Sequence, residues 1–89
     1  MRSVITVTGA DGVGIIAKVS GLLAQHGINI VDISQTTADR RFLMVMLVEM
    51  DNADESFAQI SSLLSELGES IGQSITMRHE KVFNSMHRI

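Results

Sequence analysis

Three glycines and a carboxylate stand together in Gly9-Ala10-Asp11-Gly12-Val13-Gly14, between a β-branched stretch and one with helical periodicity. Backbone without side chains lets a ligand come close, and free N–H groups at a helix start attract a carboxylate or phosphate. The segment can therefore hold a small anion. Its spacing is neither G-x-G-x-x-G nor G-x-x-x-x-G-K-[ST], which excludes a dinucleotide fingerprint and a Walker-type loop. The same residues also suit a tight strand-to-helix turn capped by Asp11, and spacing alone does not separate the two readings.

No other constellation points to chemistry. His26, His79 and His87 are scattered, without the i, i+4 pair and carboxylate of a helical metal site. His26 is expected near a helix C-terminus, where partial negative charge favours it, and the other two at the surface. No serine lies in a nucleophile elbow, and Asp54-Glu55 suits the first turn of a helix better than acid–base work. An acylphosphatase-like enzyme is disfavoured for want of a phosphate loop carrying Arg with a matching Asn. The expectation is a protein that is not an enzyme, with no catalytic residues, no metal and no cofactor.

Composition narrows the partners. The chain has 89 residues and 9.7 kDa, enough for one small domain over 1–89, and 45% hydrophobic residues suit a folded core. A net charge of −3 offers no basic excess for a phosphate backbone, and three Phe with no Trp or Tyr give few stacking platforms. Nucleic acid is not an expected partner. With no Cys there is no disulfide framework, so a reducing, cytoplasmic location is the default. No apolar run reaches the roughly 18 residues of a membrane span, and the start alternates too soon for a signal peptide. A membrane is not expected either.

The elements that position the glycine segment follow from periodicity. Residues 2–8 read as a central strand with Ile5 and Val7 on one face and Val4, Thr6 and Thr8 on the other. Ile15, Ile16, Val19, Leu22 and Leu23 recur at helical spacing, and Gly27 suits the left-handed C′ position, folding Ile28 back on the last turn. Residues 29–38 and 41–49 read as strands joined at Asp39-Arg40. Asn52 and Glu55 resemble a capping box before a helix striped by Phe57, Ile60, Leu63, Leu64 and Leu67, which Gly68 is expected to end. Residues 71–79 read as a fourth strand with Ile75 and Met77 on one face. Val82, Phe83, Met86 and Ile89 suggest a short C-terminal helix.

Strand, helix, strand, strand, helix, strand is the order of a ferredoxin-like βαββαβ sandwich, an α/β (α+β) fold with two helices on one face of a four-stranded antiparallel sheet. In Phe42-Leu43-Met44-Val45-Met46-Leu47-Val48 both faces are apolar, although two helices cover only one. The C-terminal helix and a second copy of the chain are both expected over the other. Met44, Met46 and Met50 suit an adaptable contact surface or core filling. Asp32 suits an edge strand, where charge discourages wrong pairing.

Asp11-Gly12-Val13-Gly14-Ile15 after a β-branched strand, then Val19, Leu22, Leu23, Gly27-Ile28-Asn29-Ile30 and the strand to Gln35-Thr36, resembles the ACT domain family across almost the whole chain. Asp32-Ile33-Ser34-Gln35 is similar to a stretch typical of its stand-alone bacterial and archaeal members. The resemblance implies a regulatory module that binds an amino acid or similar metabolite at an interface between two copies. It implies a ligand held by the loop before the first helix, here Asp11, Gly12, Val13, Gly14 and Ile15, and by the start of the second strand, here Asn29 and Ile30. N–H groups near Gly14 would receive a carboxylate, Asp11 would pair with an ammonium group, and the Asn29 amide would act from the neighbouring copy. The implied partners are a small-molecule ligand, a second copy and a regulated protein. The alternative is a ligand-free interaction subunit docking on an enzyme or transcription factor. On that view Asp11 only caps, Gly14 only permits close packing and Asn29 only pins a turn.

Overall fold

The computed structural model describes residues 1–86. Its elements are β1 (Arg2–Ala10), α1 (Ile15–Gln25), β2 (Asn29–Ala38), β3 (Arg41–Glu49), α2 (Phe57–Ile71), β4 (Gln73–His79) and α3 (Glu80–Met86). The sheet order is β2-β3-β1-β4 with every pairing antiparallel, the ferredoxin-like sandwich. β1 is central, as its β-branched run predicts.

Alternation along β1, β3 and β4 sends Ile5, Val7, Met44, Met46, Val48, Ile75 and Met77 to one face. Ile15, Val19 and Leu23 of α1 and Ile60 and Leu64 of α2 close on them, forming one core. The methionines of β3 are therefore core side chains: Met44 and Met46 are fully buried. On the other face Val4 is buried, while Leu43 is 45% exposed. α3 packs chiefly on β1 and β4 and buries none of its own residues, so among the described residues the far part of that face, at Leu43, stays exposed. Coverage by the C-terminal helix is thus narrower than expected. Ile89 and His87 lie outside the described residues.

Glycine sets several boundaries, not always as the pattern suggests. Gly27 has φ 72°, and Ile28 N–H donates to the Leu23 carbonyl at 2.9 Å, the Schellman closure that brings Ile28 into the core. Gly68 does not end α2. The helix runs on to Ile71 and closes at Gly72, also at φ 72°. Gly68 is instead the crossing point over β4, where a Cβ would sit 2.6 Å from the Gln73 carbonyl oxygen. The cap of α2 also differs: Ser56 Oγ accepts from Gln59 N–H at 3.3 Å, and Asn52-Glu55 precedes the helix. Ser56-x-x-Gln59 is itself a capping-box spacing, four residues later than the one read from sequence. β4 starts at Gln73, two residues after the expected 71, because α2 occupies that stretch.

At the sheet edges and chain start, short polar contacts hold register. Asp39 and Arg40 have φ 50° and 65°, the signature of a type I′ hairpin turn between β2 and β3. A bulge at Val31 shifts register between Ile30 and Asp32, and the Asp32 carboxylate accepts from Ile33 N–H at 2.9 Å just past it. The Met1 ammonium binds the carboxylates of Asp51 and Glu49, tying the start of β1 to the end of β3. Hydrogen bonding to Asp51 and then Glu49 raises the ammonium pKa, and the ammonium lowers that of Asp51.

Candidate functional site

β1 continues to Ala10, two residues beyond the expected end, so Gly9 belongs to the strand rather than to the loop. The reason is steric. The Gln73 side chain lies across Gly9, where a Cβ would be 2.5 Å from its Oε1, and its Nε2 donates to the Ala10 carbonyl at 2.6 Å. The connection to α1 is then only residues 11–14. Asp11 N–H donates to the Arg40 carbonyl at 2.9 Å, pinning the loop to the β2–β3 hairpin.

The helix cap is Gly14, at φ 80°, and no side chain caps α1. Asp11 is therefore not the helix cap that the plain-turn reading required. Its carboxylate is exposed and makes no hydrogen bond or ion pair among the described residues. The first-turn N–H groups of α1 remain without a side-chain acceptor, which leaves a positive helix end facing the loop. A Cβ at Gly14 would meet nothing within 4 Å, so the glycine there serves backbone conformation and not close packing. Val13 is wholly exposed at the tip, an apolar side chain with no cover from its own chain. Ile15 is buried in the core and can support the loop but not contact a ligand through its side chain.

Asn29 and Ile30 are elsewhere. Asn29 is opposite Glu49, whereas the loop leaves β1 beside Arg41, at the far end of β3. The nine residues of β3 separate them, roughly 27 Å at the usual strand rise. One chain does not bring the two halves of the expected site together. Asn29 is exposed and Ile30 packs partly against the core, and β2 as a whole is an edge strand exposed along nearly its full length. Val31 and Ile33 on it are 43% and 42% exposed.

The two described histidines, His26 and His79, both make contacts within the fold. His26 ends α1, its Nδ1 lies 2.9 Å from Asp54 Oδ1, and its carbonyl accepts from Asp54 N–H at 3.1 Å. His79 stacks on Phe57 with ring centroids 4.7 Å apart. Sequence reasoning missed Gln73 and Arg40, which shape the loop through its backbone. Neither has a spacing signal, since both act from across the fold.

A family profile for the ACT domain matches residues 2–78. The chain belongs to the ACT domain family. It is 47% identical over 88 residues to a UPF0237 protein of Bifidobacterium longum, covering 99% of this chain and 98% of that one. A UPF0237 protein of Methanopyrus kandleri is 46% identical over 88 residues, with the same coverage. Among solved structures, an ACT domain protein from Streptococcus pneumoniae superposes with a TM-score of 0.82 at 36% identity, covering 93% of each chain. The regulatory subunit of aspartate kinase from Thermus thermophilus, ligand-free, superposes with a TM-score of 0.67 at 32% identity, covering 86% of this chain and 50% of that one. This ACT chain is accordingly of the small-molecule-binding regulatory kind. Among its described residues no helix is long and apolar enough to cross a membrane, and no group of three metal-ligating side chains occurs.

Proposed function

We propose that residues 1–89 act in the cytoplasm as one ACT module that binds a free amino acid between two copies of itself and regulates without catalysing. The separation of the loop from Asn29 carries this reading. If two copies pair along their open β2 edges with a two-fold axis between them, the start of one β2 approaches the end of the other. The second copy's Asn29 and Ile30 then come beside the loop of the first. A zwitterion fits what meets there. The uncapped first turn of α1 and the N–H groups near Gly14 receive the carboxylate, while Asp11 and the second copy's Asn29 take the ammonium. Val13 and Ile33 gain apolar cover in the same step. Ligand shared across the interface favours one dimer arrangement over others, and that preference is the regulatory output.

A thermal-shift panel of the common amino acids at millimolar concentration tests it. A ligand at 100 times its Kd stabilises by about 2.7 kcal/mol, which for a domain of this size raises Tm by roughly 10 °C or more. Gly12→Ala sharpens the test. A Cβ at Gly12 would touch only Ile15, at 3.6 Å, so the free protein should melt within about 2 °C of the original, while a methyl on the ligand side should shrink the shift. A panel with no shift would instead favour a ligand-free subunit docking on an enzyme or transcription factor. The exposed Val13, Val31 and Ile33 would then be its contacts.

A further inference from the structure

The open half of the sheet carries a second, chemically distinct feature. On the face away from α1 and α2, Leu43 is flanked by Thr36 on β2 and Thr8 on β1, its direct partners in register. One step along β3, Arg41 is flanked in the same way by Ala38 and Ala10. Directly opposed residues share a face, so these six side chains form two adjacent rows. The alanines are too small to fill the row beside the long arginine. A cleft of about 400 Å³ results, lined by Thr8, Thr36, Ala38, Arg41, Phe42 and Leu43.

Arg41 is exposed and makes no side-chain ion pair or hydrogen bond among the described residues. Arg2, also on this face, is by contrast matched to Glu49 at 3.7 Å. The cleft thus joins an unmatched guanidinium, two hydroxyls at the ends of one row and an apolar floor at Leu43. A guanidinium presents paired N–H donors that match a carboxylate, and the threonine hydroxyls can donate to the same oxygens. Leu43 is 45% exposed and offers contact to a short aliphatic chain, and α3 packs chiefly on β1 and β4.

We infer that this cleft is a binding site for a small carboxylate with a short aliphatic tail, held by Arg41, Thr8 and Thr36 over Leu43. It lies on the opposite face of the sheet from α1 and requires neither the loop at Gly14 nor Asn29. An open site of this size holds a ligand of few atoms with affinity on the order of millimolar.

Isovalerate is the probe, followed by amide NMR on the isotope-labelled protein. Signals of Thr8, Thr36, Ala38 and Leu43 should move and saturate at millimolar concentration. The neutral isostere 3-methylbutanamide should move them far less and without saturation. Arg41→Gln should weaken isovalerate at least about tenfold without lowering Tm, because the side chain has no partner to lose. Asp11→Ala should leave this binding unchanged, which separates the site from the one at the glycine loop. Isovalerate shifts confined to residues 11–15, or an Arg41→Gln titration equal to that of the original protein, would overturn the inference. Protein-concentration-dependent shifts at Thr36 and Leu43 that isovalerate does not reverse would put a second copy on this face and overturn it too.

Discussion

Gly27→Ala should lower the free energy of unfolding by about 3 to 5 kcal/mol, while the same change at Gly72 should cost only about 1 to 2. Both glycines have φ 72° and end a helix, so the left-handed backbone penalty is common to them. The surroundings differ. A Cβ at Gly27 would lie 2.5 Å from the Asn52 carbonyl oxygen, whereas at Gly72 nothing lies within 4 Å. Asn52 has little freedom to withdraw. The turn that holds it is closed by Ala53 N–H to the Met50 carbonyl at 3.0 Å, and Asp54 is fixed twice to His26 at the end of α1. The new methyl would therefore push against backbone rather than a flexible side chain. Against a total stability of roughly 5 to 15 kcal/mol, the larger loss would leave a visibly unfolded fraction at modest urea. Equal midpoints for the two variants in urea would show that residues 52–54 give way and that the contact is soft.

The same pair of glycines shows what the sequence makes legible. Alternation in β1 and β4 and the heavy apolar run in β3 specify which face is buried, because burying the wrong face would forgo several kcal/mol. The order of elements, the central place of β1, the Asp39-Arg40 turn and the closure at Gly27 are all readable on that basis. Gly68 is where reading fails. A glycine required for a left-handed backbone and a glycine required for close approach are one letter, and only the position of β4 distinguishes them. Asn52 against Ser56 is a similar case. Both residue types cap helices, and the choice depends on Asn52 already being used in the turn beneath Gly27.

At the candidate site, legibility stops for a different reason. The loop at Asp11 to Gly14 is visible as a glycine cluster, and its lack of a side-chain cap becomes clear once Gly14 is seen to begin α1. Its geometry depends on Gln73 and Arg40, more than 25 positions away in sequence, acting through backbone contacts that leave no motif. Asn29 and Ile30 enter only through resemblance. Within one chain they are at the wrong end of the sheet, and a linear sequence carries no record of the symmetry that would place them against the loop of a second copy.

That symmetry makes a prediction which a site within one chain cannot imitate. Asp11→Ala and Asn29→Ala should each weaken amino-acid binding by about 10- to 100-fold, the usual loss for a hydrogen bond to a charged group. Neither should lower the stability of the free protein, since neither side chain has a hydrogen-bond partner among the described residues. Mixing the two variants under conditions of subunit exchange yields heterodimers in half of the population on statistical grounds. Each heterodimer holds one doubly altered site and one made from the unaltered loop of one copy and the unaltered Asn29 of the other. Roughly a quarter of all sites should then bind with full affinity, as a step in a calorimetric titration that neither variant shows alone. If loop and Asn29 served the ligand from within one chain, every site would carry one change or the other. The mixture would then titrate as the plain sum of two weak binders, and the two-copy site would be excluded.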